Sequence, residues 1–267
     1  MPRQLKDRWS DGDAYQQYVG RWSRLVAQDF IDWLDIPDGG HWLDVGCGAG
    51  DMTAVILEHV APAAVQGVDL SPDYIAFAQA RFSDARARFR MADARRLVEP
   101  DGAFDCVVSG LVLNFVPHPA KAVREMARVA KPGGTVAAYV WDYADKIELM
   151  RYFWDAVVEL FPEAADLDEG LRFPICNPQG LTDLWESVGM RDIETRAIDV
   201  PSVFRDFDDY WSPFLGGQGP APGFAASLSE SDRSALRETI RSRLPIRADG
   251  SIHLIARAWA VRGTITP

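Results

Sequence analysis

A glycine-rich loop flanked by carboxylates is the part of this sequence whose residue types and spacing most directly imply chemistry. Residues 46–50 read GCGAG and follow the apolar run of residues 41–45. Glycines let the backbone turn sharply and approach a ligand, because no Cβ stands in the way. Asp44 precedes the glycines, and Asp69 follows them at the end of a second apolar run. A carboxylate at that second position commonly binds ribose hydroxyls, so the pattern predicts a ligand that contains a nucleoside.

An NAD(P)-dependent oxidoreductase is the main alternative that a glycine loop of this kind leaves open. The spacing here is G-x-G-x-G, and Asp51 stands where a dinucleotide fingerprint has Gly or Ala. A carboxylate at the N-terminus of the following helix would oppose a pyrophosphate. Asp51, Asp44 and Asp93 together make the predicted site acidic. An acidic site favours a cofactor that bears an ammonium and a sulfonium and lacks phosphate.

Short apolar runs alternate with helical patterns through the first half of the chain, and these elements must position the loop. Strands are predicted at 41–45, 64–70, 87–91, 104–110 and 135–141. Helices are predicted between them, at 51–60, from Ser71-Pro72 onward and at 119–130. This alternation is typical of βαβ units and a parallel sheet, which binds its ligands at the carboxyl ends of the strands.

The pattern changes after residue 142. Further elements are predicted, with helices at 146–161, 178–188 and 229–243 and strands at 191–200 and 251–262. The last strand alternates in a way that suits an antiparallel partner. Residues 201–224 are dense in Pro, Gly and aromatic residues, and several aromatics are spaced for one helix face, namely Phe204, Phe207, Tyr210, Trp211 and Phe214. That face is equally compatible with internal packing and with the wall of an apolar substrate pocket.

Charge and composition narrow the range of partners. The 267 residues include 28 basic and 39 acidic side chains, for a net charge of −11, which argues against a nucleic-acid partner. One basic run does occur, at Arg86, Arg88, Arg90, Arg95 and Arg96. The three cysteines are widely separated, so neither a disulfide framework nor a metal site is predicted. The polar N-terminus and the lack of a run of ~20 apolar residues predict a cytoplasmic protein that is not associated with membranes.

Five ordered motifs resemble those of class I S-adenosylmethionine-dependent methyltransferases of the small-molecule type, similar to the methyltransferase domain 11/25 families. They are LDVGCGAG (43–50), GVDLS (67–71), MADA (91–94), FDCVVSGLVLNF (104–115) and KPGG (131–134). The resemblance implies a Rossmann-like α/β sheet, mostly parallel with an antiparallel last strand, that has helices on both faces and a lid formed by insertions. It also implies S-adenosyl-L-methionine as the cofactor.

The resemblance further implies a single domain over residues 1–267. Its expected parts are an N-terminal helical cap (1–35), a cofactor-binding half (41–141), lid insertions (142–177 and 201–249) and closing elements (178–200 and 250–262).

By the same resemblance, cofactor-binding roles fall on individual residues. The methionine part of the cofactor is expected near Asp44 and the backbone of Gly46 and Cys47, with Gly48 allowing close passage and Ser109 nearby. Asp69 would accept both ribose hydroxyls, while Leu70, Asp93 and the backbone of Ala94 would meet the adenine. A leading helix contributes Tyr18 or Arg21, either of which could touch the methionine carboxylate.

The acceptor is expected beyond the carboxyl ends of the strands. Residues placed to contact it are Asn114, Trp141, Tyr143, Tyr210 and Trp211. His118 is the one conventional base near the predicted site, although a solvated residue at a helix start explains it equally well. Residues 109–112 read SGLV where several amino-group methyltransferases carry Asn-Pro-Pro-aromatic, which lowers the expectation of adenine or glutamine N-methylation.

The sequence therefore predicts an enzyme that transfers a methyl group to a small or medium acceptor of apolar or aromatic character. Its expected partner is that small molecule alone, in a monomer or homodimer. Two alternatives stay open at this point, the oxidoreductase described above and a catalytically silent protein that binds the cofactor as a scaffold or sensor.

Overall fold

The computed structural model describes residues 21–216 and 219–266, and these form two compact units. Unit 1 contains the described residues through Ser23 together with Asp142–Pro174 and Asp199–Arg257. Unit 2 contains Arg24–Trp141, Ile175–Ile198 and the residues from Ala258 onward. Each unit is described separately below.

Seven strands form one mixed sheet in the described chain. They are β1 (His41–Val45), β2 (Ala64–Asp69), β3 (Ala87–Met91), β4 (Phe104–Gly110), β5 (Ala130–Trp141), β6 (Arg191–Phe204) and β7 (Ile252–Thr264). Their spatial order is β3-β2-β1-β4-β5-β7-β6. The first five strands pair in parallel, and β7 pairs with β5 in antiparallel register from Thr135↔Thr264 to Trp141↔Ala258. The predicted α/β class, with a mostly parallel sheet and an antiparallel last strand, is confirmed.

Ten α-helices accompany the strands in the described residues. They are α1 (Arg21–Leu34), α2 (Asp51–His59), α3 (Pro72–Arg81), α4 (Pro119–Val129), α5 (Glu148–Leu160), α6 (Glu169–Arg172), α7 (Pro178–Glu186), α8 (Phe207–Trp211), α9 (Pro220–Ser227) and α10 (Glu230–Arg243). Short 3₁₀ turns cover Leu113–Phe115, Pro162–Leu167 and Ser212–Leu215. No helix in the described part of the chain is both long and apolar enough to span a membrane.

Helix α3 shows why the predicted boundaries are accurate in the first half of the chain. The hydroxyl of Ser71 accepts a hydrogen bond from the Tyr74 amide at 3.3 Å, and Pro72 occupies the first helical position. Ser at the N-cap satisfies an amide that has no partner inside the helix, and Pro there loses nothing. Ile75 and Ala78, three residues apart on one face of the helix, are buried. Local sequence signals and packing therefore agree in this element.

The core of unit 2 lies along the central strands. Trp42, Leu43 and Val45 of β1 are buried, and so are Met52, Val55 and Ile56 of α2. Each such side chain contributes about 1.5–3 kcal/mol when it leaves water. This buried layer holds the carboxyl ends of β1, β2 and β4 in fixed register, as a ligand site at those ends requires.

The interior of unit 1 is built from aromatic side chains whose polar atoms are hydrogen-bonded. Phe153 of α5 stacks on Phe214 with ring centroids 4.5 Å apart. The Tyr210 hydroxyl donates to the Leu149 carbonyl at 2.8 Å, and the Trp154 indole donates to Glu169 at 3.0 Å. These contacts describe a close-packed core.

Several predicted bounds are wrong in the second half of the chain. Strand β5 begins at Ala130 rather than at 135, because the backbone stays extended through KPGG and Gly133 turns with φ +74°. Strand β6 continues to Phe204, beyond the predicted end at 200. The aromatic segment is then a five-residue helix followed by a 3₁₀ turn, not the continuous helical face that the spacing predicted.

Candidate functional site

The glycine loop joins β1 to α2 at the carboxyl edge of the sheet. At Gly46, with φ +78°, an added Cβ would lie 2.6 Å from both γ-carbons of Val112, so a side chain cannot fit there. At Gly48, with φ +50°, an added Cβ would have no atom within 4 Å. The loop is therefore closed against Val112 on one side and open at Gly48, as the approach of a ligand to the backbone requires.

Asp69 at the end of β2 fixes the open part of this loop. One carboxylate oxygen accepts from the Gly48 amide at 3.0 Å, and the other accepts from the Ser71 amide at 2.8 Å. A carboxylate offers about four lone-pair positions, so each oxygen keeps one for a further donor. The side chain is half-buried. This geometry suits a diol that donates to both oxygens.

Asp44 lies inside β1 and is buried. Its Oδ2 accepts from the Thr53 hydroxyl of α2 at 2.8 Å, whereas its Oδ1 has no hydrogen-bond partner among the described residues. Burial, and the negative charge of Asp69 as a smaller cause, raise the pKa of Asp44 to about 7. A buried carboxylate in this condition is stabilised by a nearby cation. Thr53 was not singled out from the sequence, since its role depends on how α2 packs on β1.

The backbone of Gly46 and Cys47 is less available than expected. Both amides donate to the Val68 carbonyl, at 2.7 and 3.0 Å, which ties the loop to β2. The Cys47 carbonyl accepts from the Gly50 amide at 2.8 Å. Contact with the methionine part of a cofactor is therefore restricted to carbonyl oxygens, above all that of Gly46. Burial raises the pKa of the Cys47 thiol, so that side chain stays protonated at neutral pH.

The predicted adenine contacts lie at the ends of β2 and β3. Leu70 is 64% exposed and follows Asp69, whose register partner on β3 is Met91, itself 59% exposed. Two apolar side chains left in water at adjacent strand ends form a surface on which a flat ring can pack. Met91 is a residue that the sequence reasoning missed, although it opens the MADA motif.

Asp93 is held by its own neighbour. Its carboxylate pairs with the Arg95 guanidinium at 2.7 Å and accepts from the Arg95 amide at 2.9 Å, which lowers the pKa of Asp93. Ala94 beside it is half-buried. The expected contact between Asp93 and an adenine amino group stays a prediction, in which the carboxylate would share its oxygens with Arg95.

Ser109 and the loop after β4 continue this edge. Ser109 is buried and its hydroxyl donates to the Val45 carbonyl at 2.8 Å, so it clamps β4 to β1. In the following turn, both amide atoms of Asn114 are screened from solvent and have no partner in the described part of the chain. His118 is exposed, with a left-handed backbone (φ 59°), at the start of α4.

The other expected acceptor residues are divided between the units. Trp141 is buried at the end of β5 in unit 2. Tyr143, Tyr210 and Trp211 are buried in unit 1, where Tyr143 packs on Phe173 and Trp211 on Phe214. The expected cofactor contact from Tyr18 lies outside the described residues, and so does the side chain of Arg21.

Comparison with known proteins bears directly on this edge. A family model described as "Methyltransferase domain" matches residues 43–138, the segment from the strand before the glycine loop into β5. This segment is a class I S-adenosylmethionine-dependent methyltransferase domain. The matched segment contains every element described above that carries Asp44, Asp69, Asp93 and Ser109.

Two relatives and one solved structure illustrate the likeness. The chain is 28% identical over 237 residues to a 2-methyl-6-phytyl-1,4-hydroquinone methyltransferase from Synechocystis sp., covering 80% of this chain and 73% of the relative. It is 36% identical over 132 residues to a ubiquinone biosynthesis O-methyltransferase from Methylococcus capsulatus, covering 48% and 54%. Phosphoethanolamine N-methyltransferase 2 from Haemonchus contortus, solved with S-adenosyl-L-methionine, has a similar fold (TM-score 0.59, 19% identity), covering 96% of this chain and 56% of that one.

The methyltransferase uses S-adenosylmethionine, and its residues suit that molecule. The unpartnered Oδ1 of Asp44 lies where two carboxylates concentrate negative charge, which suits an ammonium and a sulfonium. The open side of Gly48 gives the backbone free approach, and the bridging Asp69 offers both oxygens to a diol. The arrangement thus agrees with the charge argument against a dinucleotide.

Proposed function

We propose that this methyltransferase transfers the methyl group of S-adenosylmethionine to a small or medium organic acceptor with an apolar or aromatic body. The observation that carries the proposal is the composition of the loop after β4. This loop follows the carboxyl end of that strand, where the acceptor is expected. Residues 110–116 read GLVLNFV, with a single polar side chain and no titratable one. A charged acceptor would lose its hydration there without gaining a partner.

The relatives support the same class of acceptor. Two of them are named for hydroquinone and ubiquinone chemistry, and a third, from Bacillus licheniformis, is a demethylmenaquinone methyltransferase with 28% identity over 175 residues. Each of those names implies an aromatic ring or quinone nucleus with an apolar substituent. That common chemistry suits an apolar loop better than an amine or a phosphorylated substrate would.

The chain's own residues have binding and orienting roles in this proposal. When bound, the cofactor supplies an electrophilic methyl group on a positively charged sulfur. Asp69 holds the ribose diol, Asp44 balances the positive charge, and Leu70 packs on the adenine. Alignment of the acceptor and exclusion of water then supply most of the rate enhancement. Asp93, with the backbone of Ala94, stays the proposed partner of the adenine amino group.

General-base catalysis is not required by this proposal. An ionised phenol or an activated ring carbon is nucleophilic without a base, and only a neutral acceptor needs one. His118 is exposed, so its proposed role as that base is limited to acceptors that lose a proton on transfer. Replacing His118 by Ala therefore separates the two cases.

The aromatic residues of unit 1 are proposed to act mainly through packing. Tyr210 is fully buried and its hydroxyl is already bonded to Leu149, so the ring has no free face for a substrate. The acceptor roles of Tyr143 and Trp211 in unit 1, and separately that of Trp141 in unit 2, stay proposals for side chains that are buried. That residues 142–177 and 201–249 form a lid within one methyltransferase domain stays a proposal.

We also propose that nucleic acid is not the acceptor and that the protein acts in the cytoplasm as a monomer or homodimer. Three arginines of the basic run are neutralised within the chain, Arg86 by Asp84, Arg90 by Glu99 and Arg95 by Asp93. Micromolar, salt-dependent binding to DNA or RNA at physiological ionic strength would contradict the first point. Sedimentation velocity would determine the oligomeric state.

Transfer of labelled methyl groups tests the proposal. Alkyl-substituted 1,4-hydroquinones and catechols form one acceptor series, and primary amines and phosphoethanolamine form the other. We expect turnover in the first series only, and the products identify the methylated atom. Turnover confined to the amines would contradict the proposed acceptor class.

A further inference from the structure

The loop from Leu111 to His118 combines features that the fold alone does not explain. Leu111 and His118 at its two ends have left-handed backbones, with φ of 60° and 59°. Only two other non-glycine residues in the described chain, Asp35 and Asp192, have positive φ. For a Leu this conformation is a real outlier and costs free energy. Strain of this kind concentrates where a ligand is bound.

Asn114, in the middle of the loop, is the second feature. Neither its Oδ1 nor its Nδ2 has a hydrogen-bond partner in the described residues, and both atoms are screened from water. The turn is closed by its own backbone, because the Phe115 amide donates to Val112 and the Val116 amide to Leu113. The side-chain amide is therefore not needed to build the turn.

The loop is anchored next to the cofactor edge. The γ-carbons of Val112 fill the space beside Gly46, and the Leu111 amide donates to the Tyr139 carbonyl of β5 at 2.8 Å. Asn114 is thus two residues from a side chain that touches the glycine loop. A buried amide in such a place lacks both a donor and an acceptor, which a ligand can supply.

We propose that Asn114 binds the acceptor through an oxygen next to the methylated atom and selects acceptors that carry a ring hydroxyl. A phenol or hydroquinone both donates to Oδ1 and accepts from Nδ2, whereas a hydrocarbon or a methoxy-substituted ring leaves at least one amide atom unpaired. The inference rests on the proposed function, since it names the polar group of the same apolar acceptor. Sites built to bond a hydroxyl reject analogues that lack it.

Binding measurements separate this role from the methyl transfer itself. A 2-methyl-6-alkyl-1,4-hydroquinone and its 1,4-dimethoxy analogue are titrated into the protein saturated with S-adenosylhomocysteine. We expect the wild type to bind the hydroquinone about tenfold to a hundredfold more tightly. Asn114→Leu, of similar volume, should bind both probes alike, while its affinity for S-adenosylmethionine stays within about threefold of the wild type.

Ser202→Ala provides a matched control. The Ser202 hydroxyl is also buried without a partner among the described residues, but it lies in β6 within unit 1. Both substitutions remove a buried unpaired polar group and should raise the midpoint of urea unfolding. Only Asn114→Leu should change the preference between the two probes. If that variant does not fold, Asn114→Asp keeps the shape and removes the Nδ2 donor. The hydroquinone can still donate to the carboxylate, whereas the dimethoxy probe loses its only bond, so the preference for the hydroquinone should persist or rise, and its loss would contradict the proposal.

Two results would overturn the proposal. An unchanged preference in Asn114→Leu would show that the amide does not contact the acceptor. A loss of cofactor affinity of more than tenfold in that variant would show that Asn114 binds the cofactor instead. Methyl transfer by the wild type is measured separately on the hydroquinone. Absence of turnover with normal probe preference would count against the proposed function and leave the binding role of Asn114 supported.

Discussion

The carboxyl edge of unit 2 and the interior of unit 1 satisfy their polar groups differently. Seven buried side-chain polar atoms have no hydrogen-bond partner among the described residues. Six belong to unit 2, including the atoms of Asp44 and Asn114, and only the Ser202 hydroxyl belongs to unit 1. In unit 1 the large polar aromatics Tyr210 and Trp154 are paired. Three of the six unpaired atoms of unit 2, one on Asp44 and two on Asn114, belong to the carboxyl edge and its following loop, where a ligand can supply their partners.

The largest expected effect tests the packing role of unit 1. Tyr210→Ala should lower the free energy of unfolding by about 3–5 kcal/mol, because it removes a fully buried ring. Tyr210→Phe is the matched control and should cost about 1 kcal/mol, since it loses only the bond to Leu149. Urea unfolding measures both. Loss of turnover in Tyr210→Ala with stability nearly unchanged would instead make this ring a pocket wall.

The second prediction concerns the buried carboxyl group of Asp44, at the carboxyl edge of unit 2. Asp44 has a pKa of about 7 in the fold, against 3.8 as its ordinary value. Its contribution to the stability of the ligand-free protein is therefore full below about pH 4, declines as the pH rises towards 7 and is lost above that. Across that interval the loss is on the order of 4 kcal/mol.

Asp44→Asn removes this titration and serves as the reference. The difference in unfolding free energy between the wild type and Asp44→Asn, measured in urea at pH 5 and pH 8, should shift in favour of the variant at pH 8. Saturating S-adenosylmethionine should reduce that shift, because the cation stabilises the carboxylate. A difference that does not depend on pH would show that Asp44 is ionised at both values.

The third prediction compares two carboxylates of the cofactor edge. Asp69→Ala should weaken S-adenosylmethionine binding about tenfold to a hundredfold, since charge-assisted bonds to the diol contribute about 1.5–3 kcal/mol. Asp93→Ala should weaken it less than about tenfold, because that carboxylate is already shared with Arg95. Calorimetric titration of both variants checks the order. Equal losses would place the adenine contact on a par with the ribose contact.

The smallest expected effect concerns Ser109, whose hydroxyl either joins β4 to β1 only or also binds the cofactor. Ser109→Ala leaves the Val45 carbonyl without its partner and should cost about 1–2 kcal/mol of stability. Cofactor affinity should stay within about threefold, as the hydroxyl is committed inside the sheet. Thermal unfolding and a cofactor titration of the same variant give both values. A tenfold loss of affinity at unchanged stability would restore the expected contact with the methionine part of the cofactor.

Sequence reasoning succeeded where local signals and tertiary packing coincide. Strands β1, β3 and β4 have the predicted bounds, and glycines mark the two ends of β1 and the end of β4. Helices α6 and α9 were missed, because elements of one or two turns show no usable periodicity and form mainly through packing. The aromatic spacing of residues 204–214 likewise could not distinguish a packed interior from a pocket.

The site could be predicted in part for the same reason. The motifs located Asp44, Asp69 and the glycine loop, whose identities follow from spacing. They could not show that the Gly46 and Cys47 amides both bind the Val68 carbonyl, since that pairing depends on the register of β1 and β2. The unpaired amide of Asn114 is also visible only once its surroundings are folded.

Calorimetric titration of the wild-type protein with S-adenosylmethionine and with NAD tests the central claim most directly. The acidic edge formed by Asp44 and Asp69 should bind S-adenosylmethionine at one site per chain with micromolar affinity, on the order of −8 kcal/mol. NAD should give no measurable binding at the same concentrations, because its pyrophosphate would meet carboxylates. Binding of NAD tighter than that of S-adenosylmethionine would contradict the assignment of this edge.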